Sequence, residues 1–513
     1  MTDDSNDVAQ VFRDLLKGGS VVFVGRIAEL GISFLGLAVI ARLIGPTDFG
    51  AVAIGSTLLS MLSTLSILGL DTGVGRFLPR YESPADRRGV LVSAFQLAVP
   101  VTAATGLAVV LGADLLATRA FGDPSIAPIL IVFGLALPFA AIVELCVGAL
   151  QGQKLAAPKV VVEQLSIPFV RVSLAFAVLY VGWGVLGISV AYGTAYVVAA
   201  ALGLYYLWRH SSLFGSEAYT PIHRDLLTFS APLVVTIVMN KILGYLDTFL
   251  LAAYLPTAEV GIYKVAYPVA MLLFVGIESA NFLFMPILSG LESEGRNREL
   301  KRVYQVVTKW IFMGTLPLFL VIALFPEMTL RITFGEQYVG GARTLSILAV
   351  GFFTTVIVGP NNNALTSIGK TRIIMAINAL AALLNLVLNL LLIPRYGIAG
   401  AAVATALSYG LMNLLYTVVL YRVVGVHPFT TAMVRPGVVS LGLVLTLQWV
   451  TKTFFPVTIP VVVGMFVVFI GLYGVVILRF GGIQEEEVQL VLDVENKFEV
   501  DLGPLKDAVK RIM

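Results

Sequence analysis

The sequence predicts an all-α integral membrane protein of about 14 transmembrane helices, arranged as two pseudo-symmetric six-helix lobes plus two extra helices. Three observations support this prediction. Hydrophobic residues make up 58% of the 513-residue chain and charged residues 13%, whereas soluble domains are about 45–50% apolar and about 25% charged. The apolar residues form continuous runs without the alternation of barrel strands. Short stretches also recur roughly 211 positions apart.

The apolar runs define the individual helices. A helix needs about 20 mostly apolar residues to cross roughly 30 Å of hydrocarbon, and fourteen runs approach this length. Only Val-Gly-Trp at 181–183 separates the fifth run from the sixth. The predicted spans are 19–44, 51–70, 89–111, 126–150, 160–180, 184–207, 229–253, 266–289, 306–326, 342–366, 371–393, 398–421, 436–454 and 458–478.

Loop charges predict the orientation of these spans. With the N-terminus inside, most of the 34 Lys and Arg residues fall in cytoplasmic segments, as the positive-inside rule requires. We therefore expect a multi-pass protein of the cell membrane with both termini cytoplasmic. The N-terminal segment has no signal-peptide pattern, so the first span is expected to be retained. Because the basic residues orient helices, the net charge of +3 does not indicate nucleic-acid binding.

An internal repeat predicts the domain organisation. Residues 13–50 and 224–261 both begin with Arg-Asp-Leu-Leu and contain a Pro-Thr turn before a final Gly, and 184–191 matches 397–404 at a similar offset. These matches predict two duplicated halves, and substrate sites of repeat-built transporters lie at the repeat interface. The predicted parts are a cytoplasmic N-tail 1–18, an N-lobe 19–210, a C-lobe 211–425, helices 13 and 14 at 426–480, and a cytoplasmic C-tail 481–513.

Two motifs resemble a known superfamily. ARLIGPTDFGAVAIG after the first span, YGIAGAAVATALS at the twelfth and the 6+6+2 helix count resemble polysaccharide-type flippases of the multidrug/oligosaccharidyl-lipid/polysaccharide exporter superfamily. The C-tail is similar to tails of archaeal members. The resemblance implies a central cavity that opens alternately to either side, and a cargo of saccharide on polyprenyl (dolichyl) phosphate or pyrophosphate. It further implies a groove for the prenyl tail on spans 13 and 14.

Three cations within the predicted spans are candidate substrate ligands. A charge at the centre of a membrane helix costs about 2.5–3.5 kcal/mol on insertion scales, so it usually faces water or a bundle interior. Arg171 and Lys241 lie near the middle of spans five and seven. Arg26 is shallower and shares a helix face with Glu29, so it either forms a structural pair or faces the cavity. The resemblance implies that basic residues on spans one and seven, here Arg26 and Lys241, hold the anionic head group.

Other polar residues in the spans extend the candidate site. Asp247 in span seven and Glu278 in span eight are candidate sites for a coupling ion, Na⁺ or H⁺. Asn378, Asn385 and Asn389 form one stripe on span eleven, suited either to helix packing or to sugar contact. The predicted substrate-binding set is Arg26, Glu29, Arg171, Lys241, Asp247, Asn378 and Asn385. Gly359 and Pro360 interrupt span ten as a candidate hinge.

Sequence motifs do not indicate an enzyme. One cysteine and three scattered histidines argue against a disulfide or a His-based metal site. The IGKT stretch at 368–371 lacks the first glycine of a phosphate loop, because Ala364 occupies that position. We expect no catalytic residues, no cofactor and no metal site.

The predicted function is a flippase that moves a polyprenyl-phosphate-linked mono- or oligosaccharide from the cytoplasmic to the outer leaflet by alternating access. Expected partners are this lipid-linked saccharide, the bilayer, and glycosyltransferases or an oligosaccharyltransferase of the same pathway. A cation-coupled multidrug exporter of the same superfamily is the alternative, in which acidic residues would dominate the cavity. A membrane-embedded glycosyltransferase would need paired carboxylates in an aqueous loop, for which only Glu327 and Glu336 are available.

Overall fold

The computed structural model describes residues 3–211, 218–454, 459–477 and 479, and within them it leaves aside the side chains of 3–20, 23, 232–240, 242–243, 281–283, 285–287, 452 and 459. The predicted C-tail, 481–513, lies outside the described residues. Over the described ranges the chain is helical, with short 3₁₀ and π-helical turns joining some of the helices.

The α-helices follow one another with few connecting residues. In chain order they are α1 (Asp3–Ser66), α2 (Leu70–Phe77), α3 (Pro84–Leu111), α4 (Ala113–Leu115), α5 (Ala127–Gly152), α6 (Ala156–Lys159), α7 (Ile167–Val181), α8 (Gly184–His210), α9 (His223–Tyr254), α10 (Thr257–Met271), α11 (Val275–Ser293), α12 (Asn297–Leu324), α13 (Pro326–Thr333), α14 (Ala342–Val358), α15 (Asn361–Ser367), α16 (Thr371–Val424), α17 (Thr431–Phe454) and α18 (Ile459–Val476).

Two long helices are each divided into two arms by a glycine. In α1, Gly45 has φ 83° and ψ 171° and precedes Pro46, and in α16, Gly397 has φ 58° and ψ −140°. Glycine adopts these positive φ values without the steric penalty of a Cβ atom. The breaks fall between predicted spans one and two and between predicted spans eleven and twelve.

The multi-pass helical architecture is confirmed. Among the described residues, ten segments are long and apolar enough to cross a membrane, with each kinked helix counted within one segment, and Pro460–Val476 is a shorter apolar helix. The count of fourteen spans stays a prediction.

The chain forms two compact units. The first comprises Met1–Pro268, Thr333–Gly341 and Ala382–Ala404, and the second comprises Val269–Ile332, Ala342–Ala381 and Thr405–Met513. These units reflect local packing, whereas the lobe boundaries at 210 and 425 rest on the internal repeat. Those boundaries therefore stay a prediction.

The first unit is built around the apolar helix α5. A Cβ atom added to Gly106 of α3 would lie 2.5 Å from the carbonyl oxygen of Gly134 in α5, so the two backbones touch. Small residues permit this close approach of membrane helices. Further along α5, Leu145 and Cys146 are buried in a core that includes Leu91. This packing fixes α5, which carries one of the acidic residues of the cavity described below.

The second unit contains the predicted break in span ten. Helix α14 ends at Val358, Gly359 has φ 70°, and α15 begins at Asn361. The Tyr304 hydroxyl donates a hydrogen bond to the Val358 carbonyl, and Asn361 Nδ2 donates to the Asn413 carbonyl at 3.3 Å. Neighbouring helices thus satisfy backbone groups around the break, as a membrane interior requires.

Candidate functional site

The first compact unit contains a cavity of about 960 Å³ that is lined by charged residues, which we call the central cavity. Residues of α1, α2, α5, α7, α8 and α9 and of the π-helical turn Val160–Ser166 line it. Its described cations are Arg26, Arg76, Arg171 and Lys241, and its described acids are Glu29, Asp71, Glu144 and Glu163. The three predicted intramembrane cations and Glu29 therefore share one cavity.

Arg26 and Glu29 are both paired and cavity-lining. Arg26 Nη1 lies 2.9 Å from Glu29 Oε2, and the two side chains are 49% and 25% exposed. A helix pair at this spacing stabilises by about 0.2–0.5 kcal/mol, which is small beside the electrostatic attraction of a phosphate. The two sequence alternatives for Arg26, a structural pair or a cavity-facing residue, thus coexist in the structure.

Arg171 has one buried donor, Nε, that no described residue accepts from. Its guanidinium carbon lies 4.7 Å from the Tyr192 ring centroid. Its Nε atom is buried and has no hydrogen-bond partner among the described residues. An unsatisfied buried donor costs about 1–3 kcal/mol, so an anion that accepts this hydrogen bond would recover that free energy.

Lys241 lies beside an aromatic ring on the same helix. Its Nζ atom is 5.4 Å from the Tyr245 ring centroid, a cation–π distance. Lys241 and Tyr245 both line the central cavity. The ammonium group is therefore held by an aromatic face and stays available to an anionic ligand.

A smaller cavity of about 270 Å³ shares Ser60, Arg171, Tyr196 and Tyr245 with the central cavity. Because four tyrosines line it, we call it the tyrosine chamber. Its described lining is Leu37, Phe49, Val52, Ala53, Ser56, Thr57, Ser60, Arg171, Tyr192, Tyr196, Tyr245, Lys264, Tyr267 and Pro268. It thus combines aromatic faces, hydroxyl groups and two cations.

Asp247 is the centre of a buried polar network. Its carboxylate accepts hydrogen bonds from the Tyr263 hydroxyl and from Asn389 Nδ2, each at 2.7 Å. Asn389 Nδ2 also donates to Asn385 Oδ1 at 3.0 Å, and Asn389 Oδ1 is buried without a hydrogen-bond partner among the described residues. The structure thus joins the predicted residues Asp247 and Asn385, although neither is among the described lining residues of the two cavities.

The other two predicted residues lie in the second compact unit. Asn378 Oδ1 accepts a hydrogen bond from the Tyr416 hydroxyl, which ties the two arms of α16 together. Glu278 is exposed on α11. The asparagine stripe is therefore divided: Asn378 bonds within the second unit, whereas Asn385 and Asn389 join the network of Asp247.

Sequence analysis missed several cavity residues. Arg76 and Lys264 lie outside the predicted spans. In the structure Arg76 lies on α2, with its guanidinium carbon 4.1 Å from the Phe229 ring centroid. Lys264 lies on α10 and lines the tyrosine chamber. The four tyrosines of the tyrosine chamber are uncharged, so they do not stand out as candidate site residues in an apolar sequence. The four-residue spacing of Lys241 and Tyr245 on one helix face was a usable signal.

A solved structure shares this fold. The lipid II flippase MurJ in an inward closed conformation has a TM-score of 0.72 and 14% sequence identity, over 91% of this chain and 98% of that chain. At this identity the likeness shows the fold alone. The chain thus folds as a multi-pass helical membrane protein with a charged internal cavity.

The family follows from the sequence matches. A family model described as "Polysaccharide biosynthesis protein" matches residues 15–292, and one described as "MatE" matches residues 232–391. Because the first match covers more than half of the chain, the chain belongs to the polysaccharide biosynthesis protein family. The resemblance inferred from the two motifs is confirmed.

Two curated relatives are distant. A probable low-salt glycan biosynthesis flippase of Haloferax volcanii is 24% identical over 411 residues, which cover 79% of this chain and 83% of that protein. An uncharacterised membrane protein of Methanocaldococcus jannaschii is 26% identical over 279 residues. That second match spans 53% of this chain and about half of the relative's length, 54%.

Proposed function

We propose that this protein is a flippase, not an enzyme, and that it moves a polyprenyl- or dolichyl-phosphate-linked mono- or oligosaccharide from the cytoplasmic to the outer leaflet by alternating access. The observation that supports this most directly is the Nε atom of Arg171, which has no hydrogen-bond partner among the described residues, in a cavity that also contains Arg26, Arg76 and Lys241. The transported saccharide would serve surface glycan assembly or protein glycosylation.

The phosphate group of the cargo is the reason that a charged cavity is needed. Moving an ionised group through hydrocarbon without partners is prohibitively costly. A guanidinium group offers a fixed fork of donors that remains protonated, and an ammonium group offers a mobile point charge. Arg171 and Lys241 would replace the water around the phosphate.

The proposal also includes the number of membrane spans and their orientation. We place fourteen spans in the cell membrane, with two six-helix lobes, two extra helices and both termini cytoplasmic. The relative from Haloferax volcanii is named as a glycan biosynthesis flippase, which supports a place in the same kind of pathway. Glycosyltransferases or an oligosaccharyltransferase would then act before or after transport.

We further propose that transport is coupled to Na⁺ or H⁺ at Asp247. Its carboxylate and the oxygen atoms of Asn385 and Asn389 belong to one network, and carboxylate and amide oxygens are ligands for hard cations. Asn389 Oδ1 accepts no hydrogen bond from the described residues, so it adds an acceptor on the side chain that bonds Asp247.

A cation-coupled multidrug exporter is the second candidate. The acidic residues of the central cavity support this candidate. They equal the cations in number and are Glu29, Asp71, Glu144 and Glu163. A cationic drug would pair with these carboxylates. In a flippase the cations of the cavity would therefore bind the cargo, whereas in a drug exporter the carboxylates would bind it.

The first prediction tests the head-group role of the cations. In cells that lack the native gene, Arg171→Gln or Lys241→Gln should raise the amount of cytoplasm-facing lipid-linked saccharide and lower surface glycosylation. Losing a charge-assisted hydrogen bond removes about 1.5–3 kcal/mol, so we expect about a tenfold or greater loss of transport. The measurement is the leaflet distribution of lipid-linked saccharide at matched protein levels.

Arg343→Gln is the matched control, because Arg343 is exposed on α14 and lines neither cavity among the described residues. It should transport like the wild type. Unchanged lipid-linked saccharide in the Arg171 and Lys241 variants, together with greater sensitivity to cationic dyes, would reject the flippase and favour the exporter.

A further inference from the structure

The tyrosine chamber differs in charge from the central cavity that it adjoins. The central cavity has four described cations and four described acids, so the signs are balanced. Among the described residues that line the tyrosine chamber, Arg171 and Lys264 are cationic and none is Asp or Glu. An occupant of the chamber therefore meets positive charge without a competing carboxylate on its walls.

One carboxylate, that of Asp247, lies near the tyrosine chamber without lining it. Asp247 is 5% exposed and is held by the Tyr263 hydroxyl and Asn389. It also interacts with Lys264 electrostatically. The carboxylate that interacts with Lys264 is therefore already hydrogen-bonded to two other side chains.

The other walls of the chamber suit a sugar ring. Tyr192, Tyr196, Tyr245 and Tyr267 offer flat apolar faces with hydroxyl groups at their ends, and Ser56, Thr57 and Ser60 add groups that both donate and accept hydrogen bonds. The volume of about 270 Å³ lies just below the roughly 300–1,000 Å³ of pockets that hold drug-sized ligands. This volume suits one sugar ring better than an oligosaccharide.

We propose that the tyrosine chamber binds the lipid-proximal sugar of the cargo and selects one that carries a carboxylate, such as a uronic acid. This inference rests on the flippase function proposed above. The phosphate is held in the central cavity by Arg171 and Lys241, and the sugar carboxylate is bound by Lys264 on the far side of the shared residues. A second phosphate would also be anionic, but it would make no use of four aromatic faces.

Binding to three lipids tests the proposal. Purified full-length protein in nanodiscs is titrated with short-chain polyprenyl phosphate, polyprenyl-phosphate glucose and polyprenyl-phosphate glucuronate. The wild type should bind the glucuronate lipid about tenfold more tightly than the glucose lipid. Lys264→Met should remove this preference and leave the affinity for polyprenyl phosphate unchanged, whereas Lys264→Arg should keep the preference.

Two further variants separate the chamber from the phosphate site. Tyr267→Ala, in the chamber only, should weaken both sugar lipids and leave polyprenyl phosphate unaffected. Lys241→Met, in the central cavity only, should weaken all three lipids by a similar factor. The thermal midpoint of each variant confirms that it is folded.

Several results would overturn the proposal. Equal affinity of the wild type for the glucose and glucuronate lipids rejects the acidic sugar while the flippase function stands. A preference that persists in Lys264→Met places the selecting group elsewhere. Polyprenyl pyrophosphate is titrated as a fourth lipid, and tight, Lys264-dependent binding of it without a sugar shows that the chamber holds a second phosphate. If none of the lipids binds, the flippase function itself fails, and the inference fails with it.

Discussion

At the scale of single residues, Asp247 and Glu278 have similar sequence contexts but different surroundings in the structure. Both lie in apolar runs and both are candidate coupling sites. Asp247 is buried and accepts two hydrogen bonds at 2.7 Å, whereas Glu278 is exposed. A dehydrated cation needs several oxygen atoms in one place, and among the described residues Asp247 is the acid of these two that is joined to amide side chains.

Sodium should therefore stabilise the protein through Asp247. Replacing choline chloride by sodium chloride at constant ionic strength should raise the Tm of the wild type, because a ligand at 100 times its Kd stabilises by about 2.7 kcal/mol. The Tm of Asp247→Asn should not respond, while Glu278→Gln should respond like the wild type. If Asp247→Asn retains the sodium response, the site lies elsewhere; a response to pH alone that needs Asp247 identifies a proton as the ion.

At the scale of helices, the two repeated Pro-Thr…Gly motifs meet each other in the first compact unit. A Cβ atom added to Gly50 would lie 2.0 Å from the carbonyl oxygen of Thr257, and one added to Gly261 would lie 2.0 Å from that of Pro46. The repeat offset relates Gly50 to Gly261 and Pro46 to Thr257. The contact is therefore reciprocal, as a duplication around a two-fold axis would produce.

Substituting either glycine should destabilise this helix crossing. The atoms that a new methyl group would meet are backbone atoms, which cannot rotate away, and overpacking typically costs about 1–3 kcal/mol. Gly50→Ala and Gly261→Ala should each lower the Tm in detergent. Gly31→Ala is the control in the same helix, because a Cβ atom there meets nothing within 4 Å. A Gly50→Ala protein as stable as Gly31→Ala would mean that the crossing is not close-packed.

Some cavity residues could be predicted from the sequence, and others could not. Arg26, Arg171 and Lys241 could be found because a charge inside a long apolar run is conspicuous. Lys264 and Arg76 could not, because charges near span ends are ordinary. The bond between Asn389 and Asp247 joins residues 142 positions apart, and no local pattern encodes which helix faces which. Local spacing thus predicted the helices and three cavity cations, while tertiary packing decided the rest.

Contacts between distant loops bear on the topology of the whole molecule. The predicted orientation places residues near 41, 123, 257 and 338 at the outer face. In the first compact unit the Thr257 hydroxyl donates a hydrogen bond to Asp123 Oδ2 at 2.6 Å, and the Tyr338 hydroxyl donates to the Ala41 carbonyl at 2.8 Å. Each bond joins segments that the charge pattern assigns to one side, so the contacts support the predicted alternation of spans.

Helix α12 allows this orientation to be measured directly. Glu292 and Glu327 are exposed and lie just beyond its two ends, and the protein's one cysteine, Cys146, is buried. A membrane-impermeant maleimide should label Glu327→Cys in intact cells, and it should label Glu292→Cys only after permeabilisation. The unsubstituted protein, with Cys146 alone, sets the background. The reverse pattern would place the N-terminus outside, and labelling of both variants in intact cells would mean that α12 does not cross the membrane.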